Sequence, residues 1–165
     1  MAYDSLDEVF ISDIKKYLIE NVNKLMEEYE LDKVKIKDAY DYSEIPTPPQ
    51  ISVLKIDESE DNDSNSYNEG ENLTRIVLQF YCYGKEMKIK DSETRYNPIK
   101  VVSILASYVK KSLSKNIIAT KNKNIISVRR TTQTPPMQVR DNSLYYSVIR
   151  YEFLINNNYK IIYKD

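Results

Sequence analysis

The chain has 165 residues, a formal net charge of −1, 30% charged residues, one cysteine, two glycines and no histidine. That length suits one domain spanning 1–165 with its own core, and the balanced charge gives no overall basic excess for nucleic acid. The missing histidine removes His-based triads, HExxH zinc sites and the commonest neutral-pH base, and glycine at only Gly70 and Gly84 leaves no Gly-rich phosphate loop or dinucleotide fingerprint.

The first predicted element is a helix from Ser5 to about Tyr29. Ser5-Leu6-Asp7-Glu8 reads as a capping box, and Leu6, Val9, Phe10, Ile14, Tyr17, Leu18, Leu25 and Tyr29 recur at helical spacing. Val34-Lys35-Ile36 suits a short edge strand. The run Ile45-Pro46-Thr47-Pro48-Pro49 cannot continue a helix and delivers the chain extended into a strand through Ile56. Residues Asp57 to Asn72 carry seven carboxylates among Ser and Asn, a composition that buries little, so 57–72 is expected to be a mobile acidic loop.

A strand from Leu73 to Gly84 follows. Its alternation sets Ile76, Leu78, Phe80 and Cys82 on one face and Arg75, Val77, Gln79 and Tyr81 on the other, as in an antiparallel sheet covered by helices on one side. Asn97 and Pro98 can start a second helix whose stripe is Ile99, Val102, Leu105, Ala106, Val109 and Leu113. Lys110, Lys111 and Lys115 suit the negative end of its dipole. A strand at Ile125 to Thr131 is broken by Thr134-Pro135-Pro136. Met137 to Arg140 then pairs through Asp141-Asn142-Ser143 with Leu144 to Ile155. The expected fold class is α+β, a mainly antiparallel sheet of about four to five strands with the N-terminal helix and the second helix packed on one face.

Few constellations carry chemistry. From Asp61, oxygens fall at calcium-loop positions (Asp61, Asp63, Asn65, Glu69), but Ser66 stands where the turning glycine belongs and Asn72 where the bidentate glutamate belongs, so a solvated surface loop is the better reading. Cys82 on an apolar face reads as a buried small hydrophobe, and with no histidine beside it no nucleophile is assigned. The single cysteine excludes an internal disulfide framework and fits a reducing compartment. No apolar run spans a bilayer and the N-terminus lacks a secretory signal, so synthesis and assembly in a cytoplasm without membrane contact are expected. No metal site and no cofactor are expected, and the chain is expected not to be an enzyme.

The remaining signals point to contacts. Lys110, Lys111, Lys115, Lys121, Lys123, Arg129 and Arg130 form a basic stretch whose plain reading is a solvated helix end and turn. Paired with the acidic loop, it also suits a head-to-tail contact between copies that closes into a ring. Tyr81, Tyr83, Tyr145, Tyr146 and Tyr151 fall on predicted strands, where tyrosine is a good strand former and also an interface residue. The outward face of the last strand, Leu144, Tyr146, Val148 and Arg150, is too apolar for plain solvent and favours an interface. The contact residues expected are Arg129, Arg130, Arg140, Tyr146 and Arg150, with Lys121, Lys123, Asp61 and Asp63 as the charged projections.

The order of these elements is similar to that of the tail terminator (tail completion) proteins of long-tailed bacteriophages. The family places an N-terminal helix before a proline-containing extended segment and strand, here Ile45 to Val53, then a strand and a helix, here Ile76 to Gly84 and Pro98 to Leu113. It ends in two strands with a loop between them, here Ile125 to Arg130 and Tyr145 to Ile155. The likeness runs over nearly the full chain and departs from the family in the acidic insert Asp57 to Asn72 and the charged connection Gly84 to Asn97. It implies a virion protein of the tail and neck that forms a ring, expected to be a homohexamer, caps the tail tube, ends its growth and presents a head-attachment surface. The implied partners are further copies of the chain, the tail tube protein and the head–tail connector protein, with the sheath protein as a further candidate. DNA would be met only by passage through the ring lumen. Another head–tail connector or a sheath adaptor is the alternative, and a small nucleic-acid-binding module the distant one.

Overall fold

The computed structural model describes residues 2–3, 5–39, 46–60, 73–114, 124–139, 143–156 and 163–164. Helix α1 (Leu6–Glu28) begins at Ser5, whose amide donates to the Glu8 carboxylate at 3.2 Å. This satisfies one orphan donor of the first turn. Helix α2 (Pro98–Ser112) begins at Asn97, whose side-chain oxygen accepts from the Lys100 amide at 2.8 Å, with Pro98 where a missing N–H costs nothing.

The strands are β1 (Ala2–Tyr3), β2 (Lys35–Asp38), β3 (Gln50–Glu60), β4 (Leu73–Gly84), β5 (Met87–Lys88), β6 (Arg95–Tyr96), β7 (Ile125–Gln133), β8 (Met137–Gln138), β9 (Tyr145–Asn156) and β10 (Tyr163–Lys164). Six form one sheet in the order β2-β3-β4-β9-β7, with β8 also paired to β9. Every pairing is antiparallel except β2 with β3. The α+β architecture expected above is therefore present, with one more strand and one parallel edge. The short pairs β1–β10 and β5–β6 lie outside this sheet.

Alternation puts Ile51 and Val53 of β3, Ile76, Leu78, Phe80 and Cys82 of β4, and Ile149, Phe153 and Ile155 of β9 into one core with the helices. Phe10 of α1 meets Phe153 edge-on at 5.0 Å, and the Tyr108 hydroxyl of α2 donates to the Leu25 carbonyl of α1 at 3.2 Å. Gly84 lets α2 approach β4 closely: a Cβ there would lie 2.8 Å from Val102 Cγ2 and 3.0 Å from the Val102 nitrogen. Both helices thus cover one side of the sheet.

Several expectations need correction. The helical stripes are wider than expected, with Ile11, Val22 and Met26 buried on α1 and Val101, Ile104 and Tyr108 on α2. Ile99 is 49% exposed, because the first turn of α2 lifts it off the sheet side that Val101 and Val102 occupy, and Tyr29 is exposed at the end of α1. Residues 57–60 are strand, not loop. After a bulge between Lys55 and Asp57, β3 keeps pairing with β4 through Glu60 opposite Thr74, since backbone pairing does not require apolar side chains. Residues 61–72 of the expected acidic loop lie outside the described residues. Among the described residues, no helix is long and apolar enough to cross a membrane.

Candidate functional site

The side of the sheet opposite the helices is the candidate site. On it lie Gln50, Ser52 and Leu54 of β3, Arg75, Val77, Gln79, Tyr81 and Tyr83 of β4, and Tyr146, Val148, Arg150, Glu152 and Leu154 of β9, in the register of the β3–β4 and β4–β9 ladders. Ser127 and Arg129 extend it onto β7.

One end is aromatic. Tyr81 and Tyr83 lie near parallel with ring centroids 6.2 Å apart, and Tyr146 lies 5.9 Å from Tyr83 on the neighbouring strand. With Leu54, Val139 and Leu144 they line a cleft of about 330 Å³. Burial pushes the Tyr83 phenol up, with Tyr81 and Tyr146 adding to it. These rings present apolar faces with polar tips, a composition suited to protein contact.

The middle is a fixed polar group. The Gln79 side chain, 8% exposed, donates to the Tyr81 hydroxyl and accepts from Arg150 Nε and Nη2 at 3.0 and 2.7 Å. A guanidinium held through two of its donors loses less freedom on meeting a partner than a free one.

The far end is a charged row that crosses four strands. Asp57 on β3 meets Arg75 at 3.5 Å, Arg75 meets Glu152 on β9 at 3.5 Å, and Glu152 meets Arg129 on β7 at 3.3 Å. The signs alternate: minus, plus, minus, plus.

The cations over the centre of this face are arginines. The chain holds eighteen lysines and six arginines. Yet the open sides of the central strands β3, β4, β9 and β7 carry Arg75, Arg129 and Arg150, while Lys35 and Lys37 stand on this side only at the β2 edge and Lys55 points to the helix side, where it pairs with Asp7. Arginine with tyrosine over the central strands, with lysine only at the β2 edge, matches an interface whose core is poor in lysine.

Of the residues singled out from sequence, Arg129, Tyr146 and Arg150 therefore share this face. Arg130 does not: it pairs with core-facing Tyr151 on the other side of the sheet and bonds Gln133 at 3.2 Å. Adjacent strand residues point to opposite faces, so Arg129 and Arg130 cannot act together. Tyr151 packs in the core against Phe80, and Leu144 lies on the outward side as expected but is buried there, lining the cleft beside Tyr146. Arg140, Lys121, Lys123, Asp61 and Asp63 lie outside the described residues. Sequence reasoning missed Asp57 and Glu152 as members of the site. The alternation of β4 had placed Arg75 and Gln79 on this side, but their partners come from strands distant in the chain.

Nothing in this arrangement forms a metal centre: among the described residues no group of three or more His, Cys, Asp or Glu is placed to hold an ion. Cys82 is buried, and burial pushes its thiol up to about 12, which keeps it a thiol at neutral pH. No protein-family model matches this sequence, and no curated protein matches it either.

Proposed function

We propose that the protein is a structural component of a long-tailed phage tail or of a related tail-like particle, which forms a ring on the end of the tail tube, ends its growth and offers a surface for head attachment. The observation that carries the reading is the two-sided sheet: helices close one face, while the other is lined with tyrosine and arginine fitted to protein contact rather than to chemistry. Capping a tube requires only such surfaces and no catalytic group. The order of elements, helix, proline-led strand, strand, helix and two closing strands, agrees with the resemblance to tail terminators. In this reading the open face, through Arg129, Tyr146 and Arg150, meets another virion protein. The ring closes head to tail through the basic stretch after α2 and the acidic stretch after β3, and the protein resides in the virion.

The test is negative-stain imaging of tail tubes grown with and without the purified protein. Tubes of limited length with a ring at one end support the reading. Overlong tubes with bare ends in both samples reject it, and binding to connectors or sheath without tube capping would favour a head–tail connector or sheath adaptor.

A further inference from the structure

The charged row on the open face has a property that the ring does not use. Across β3, β4, β9 and β7 it runs Asp57, Arg75, Glu152, Arg129, with side-chain exposures of 52, 43, 23 and 69%. Read backwards, each sign is inverted. A second copy turned by a two-fold axis that runs parallel to the strands, between β4 and β9, presents the reversed row to the first. Asp57 then lies over the partner's Arg129 and Arg75 over the partner's Glu152, four opposite-sign pairs in all, while the tyrosines of β4 lie over the partner's Tyr146. An isologous contact needs this self-complementarity.

The area lies at the lower part of the range for stable pairs, roughly 600–1,000 Å² from each partner. Strands of about eleven residues at about 3.3 Å per residue, four abreast at about 4.8 Å, span roughly 700 Å². Two sheets packed face to face in this way keep their strands nearly aligned.

We infer that, away from the tail, two copies pair through their open faces. The pair covers Arg129, Tyr146 and Arg150, so the surface that meets other virion proteins is closed until a partner displaces the second copy. The inference rests on the open face being a protein-contact surface and not on the ring.

The experiment uses the full chain and two single reversals, Asp57→Arg and Arg129→Asp. Each places like charges opposite each other twice in its own pair. Mixed together, they restore every opposite-sign contact, because residue 57 of one copy faces residue 129 of the other. Within one chain these residues sit three strands apart, roughly 14 Å, so an intramolecular ion pair cannot produce the rescue. Sedimentation equilibrium is expected to show wild-type protein at twice the mass of the 19.4 kDa chain. Each variant alone is expected to dissociate at least about tenfold more readily, and the equimolar mixture to return to the wild-type constant. Far-UV circular dichroism spectra of the variants that match wild type confirm that folding is not the cause.

Wild-type protein that stays monomeric, reversals without effect on pairing, or a mixture no better than its parts overturns the inference. Tube capping measured on the same samples separates the two proposals: a monomer that caps tubes ends the pair and keeps the ring, whereas a charge-dependent pair that caps nothing ends the ring and keeps the pair.

Discussion

Arg150 and Gln79 face each other across the β4–β9 ladder, and the guanidinium donates through Nε and Nη2 to one amide oxygen. Because Gln79 is nearly buried, that oxygen depends on Arg150 for its hydrogen bonds. Arg150→Ala is expected to destabilise the fold by about 1–3 kcal/mol, the cost of a buried acceptor left without donors. Arg150→Lys, with one flexible donor group in place of the fork, should fall between the two. Urea unfolding of the three proteins checks the order.

Gly84 is a site where β4 and α2 come close together. An alanine Cβ would meet Val102 Cγ2 at 2.8 Å, the Val102 nitrogen at 3.0 Å and the Pro98 carbonyl oxygen at 3.1 Å, and two of these atoms are backbone. The first turn of α2 must move to admit it. Gly84→Ala is expected to cost about 1–3 kcal/mol and to lower the melting temperature, measured by circular dichroism at 222 nm.

The Asp7–Lys55 pair ties the start of α1 to β3. Burial opposes the charge on Asp7, but hydrogen bonds from Lys55 and Ser5 and the charge of Lys55 outweigh it, so the carboxyl sits below its ordinary value. The hydrogen bond to Asp7 raises Lys55 to about 12 against the opposing effect of burial, with Glu58 helping. A lowered carboxyl stabilises above its unfolded pKa and loses that contribution as pH falls through its folded value. A raised lysine stabilises below its unfolded pKa and loses that contribution as pH rises towards 12. Stability should therefore decline below about pH 4 and above about pH 10. Asp7→Asn should flatten the acid-side decline and bring the Lys55 contribution to an end at lower pH, as followed by melting temperature across the pH range.

Cys82 offers a reporter of opening. It is buried and burial holds it as the unreactive thiol. Native protein should react with a disulfide reagent such as DTNB far more slowly than protein in 6 M guanidinium, with one thiol released per chain on unfolding. Fast, complete labelling of the native state would contradict the burial of β4.

Local patterns make much of this fold readable in the sequence. The Ser5 box, the Asn97-Pro98 start and the alternation of Ile76, Leu78, Phe80 and Cys82 are short-range signals, and each led to the expected element, with only the ends of the helical stripes, Tyr29 and Ile99, facing otherwise. The tyrosines were visible as a group but not as a cluster: Tyr151 went to the core and Tyr146 to the cleft because strand position, not composition, selects the face. The acidic run hid the last residues of β3, whose pairing is a backbone matter to which charge gives no clue.

Residues within a few positions of one another determine helix ends, strand periodicity and the choice between buried and open sides, because those depend on the 3.6 and 2.0 repeats of the backbone itself. Composition likewise settles which chemistries the side chains cannot perform. Strand order is different. The parallel placement of β2 beside β3, the separation of Arg129 from Arg130 and the assembly of Asp57, Arg75, Glu152 and Arg129 into one alternating row depend on which strands lie side by side. Those four residues span almost a hundred positions of chain and meet only when the sheet is built, since the core that orders the sheet lies on its other face.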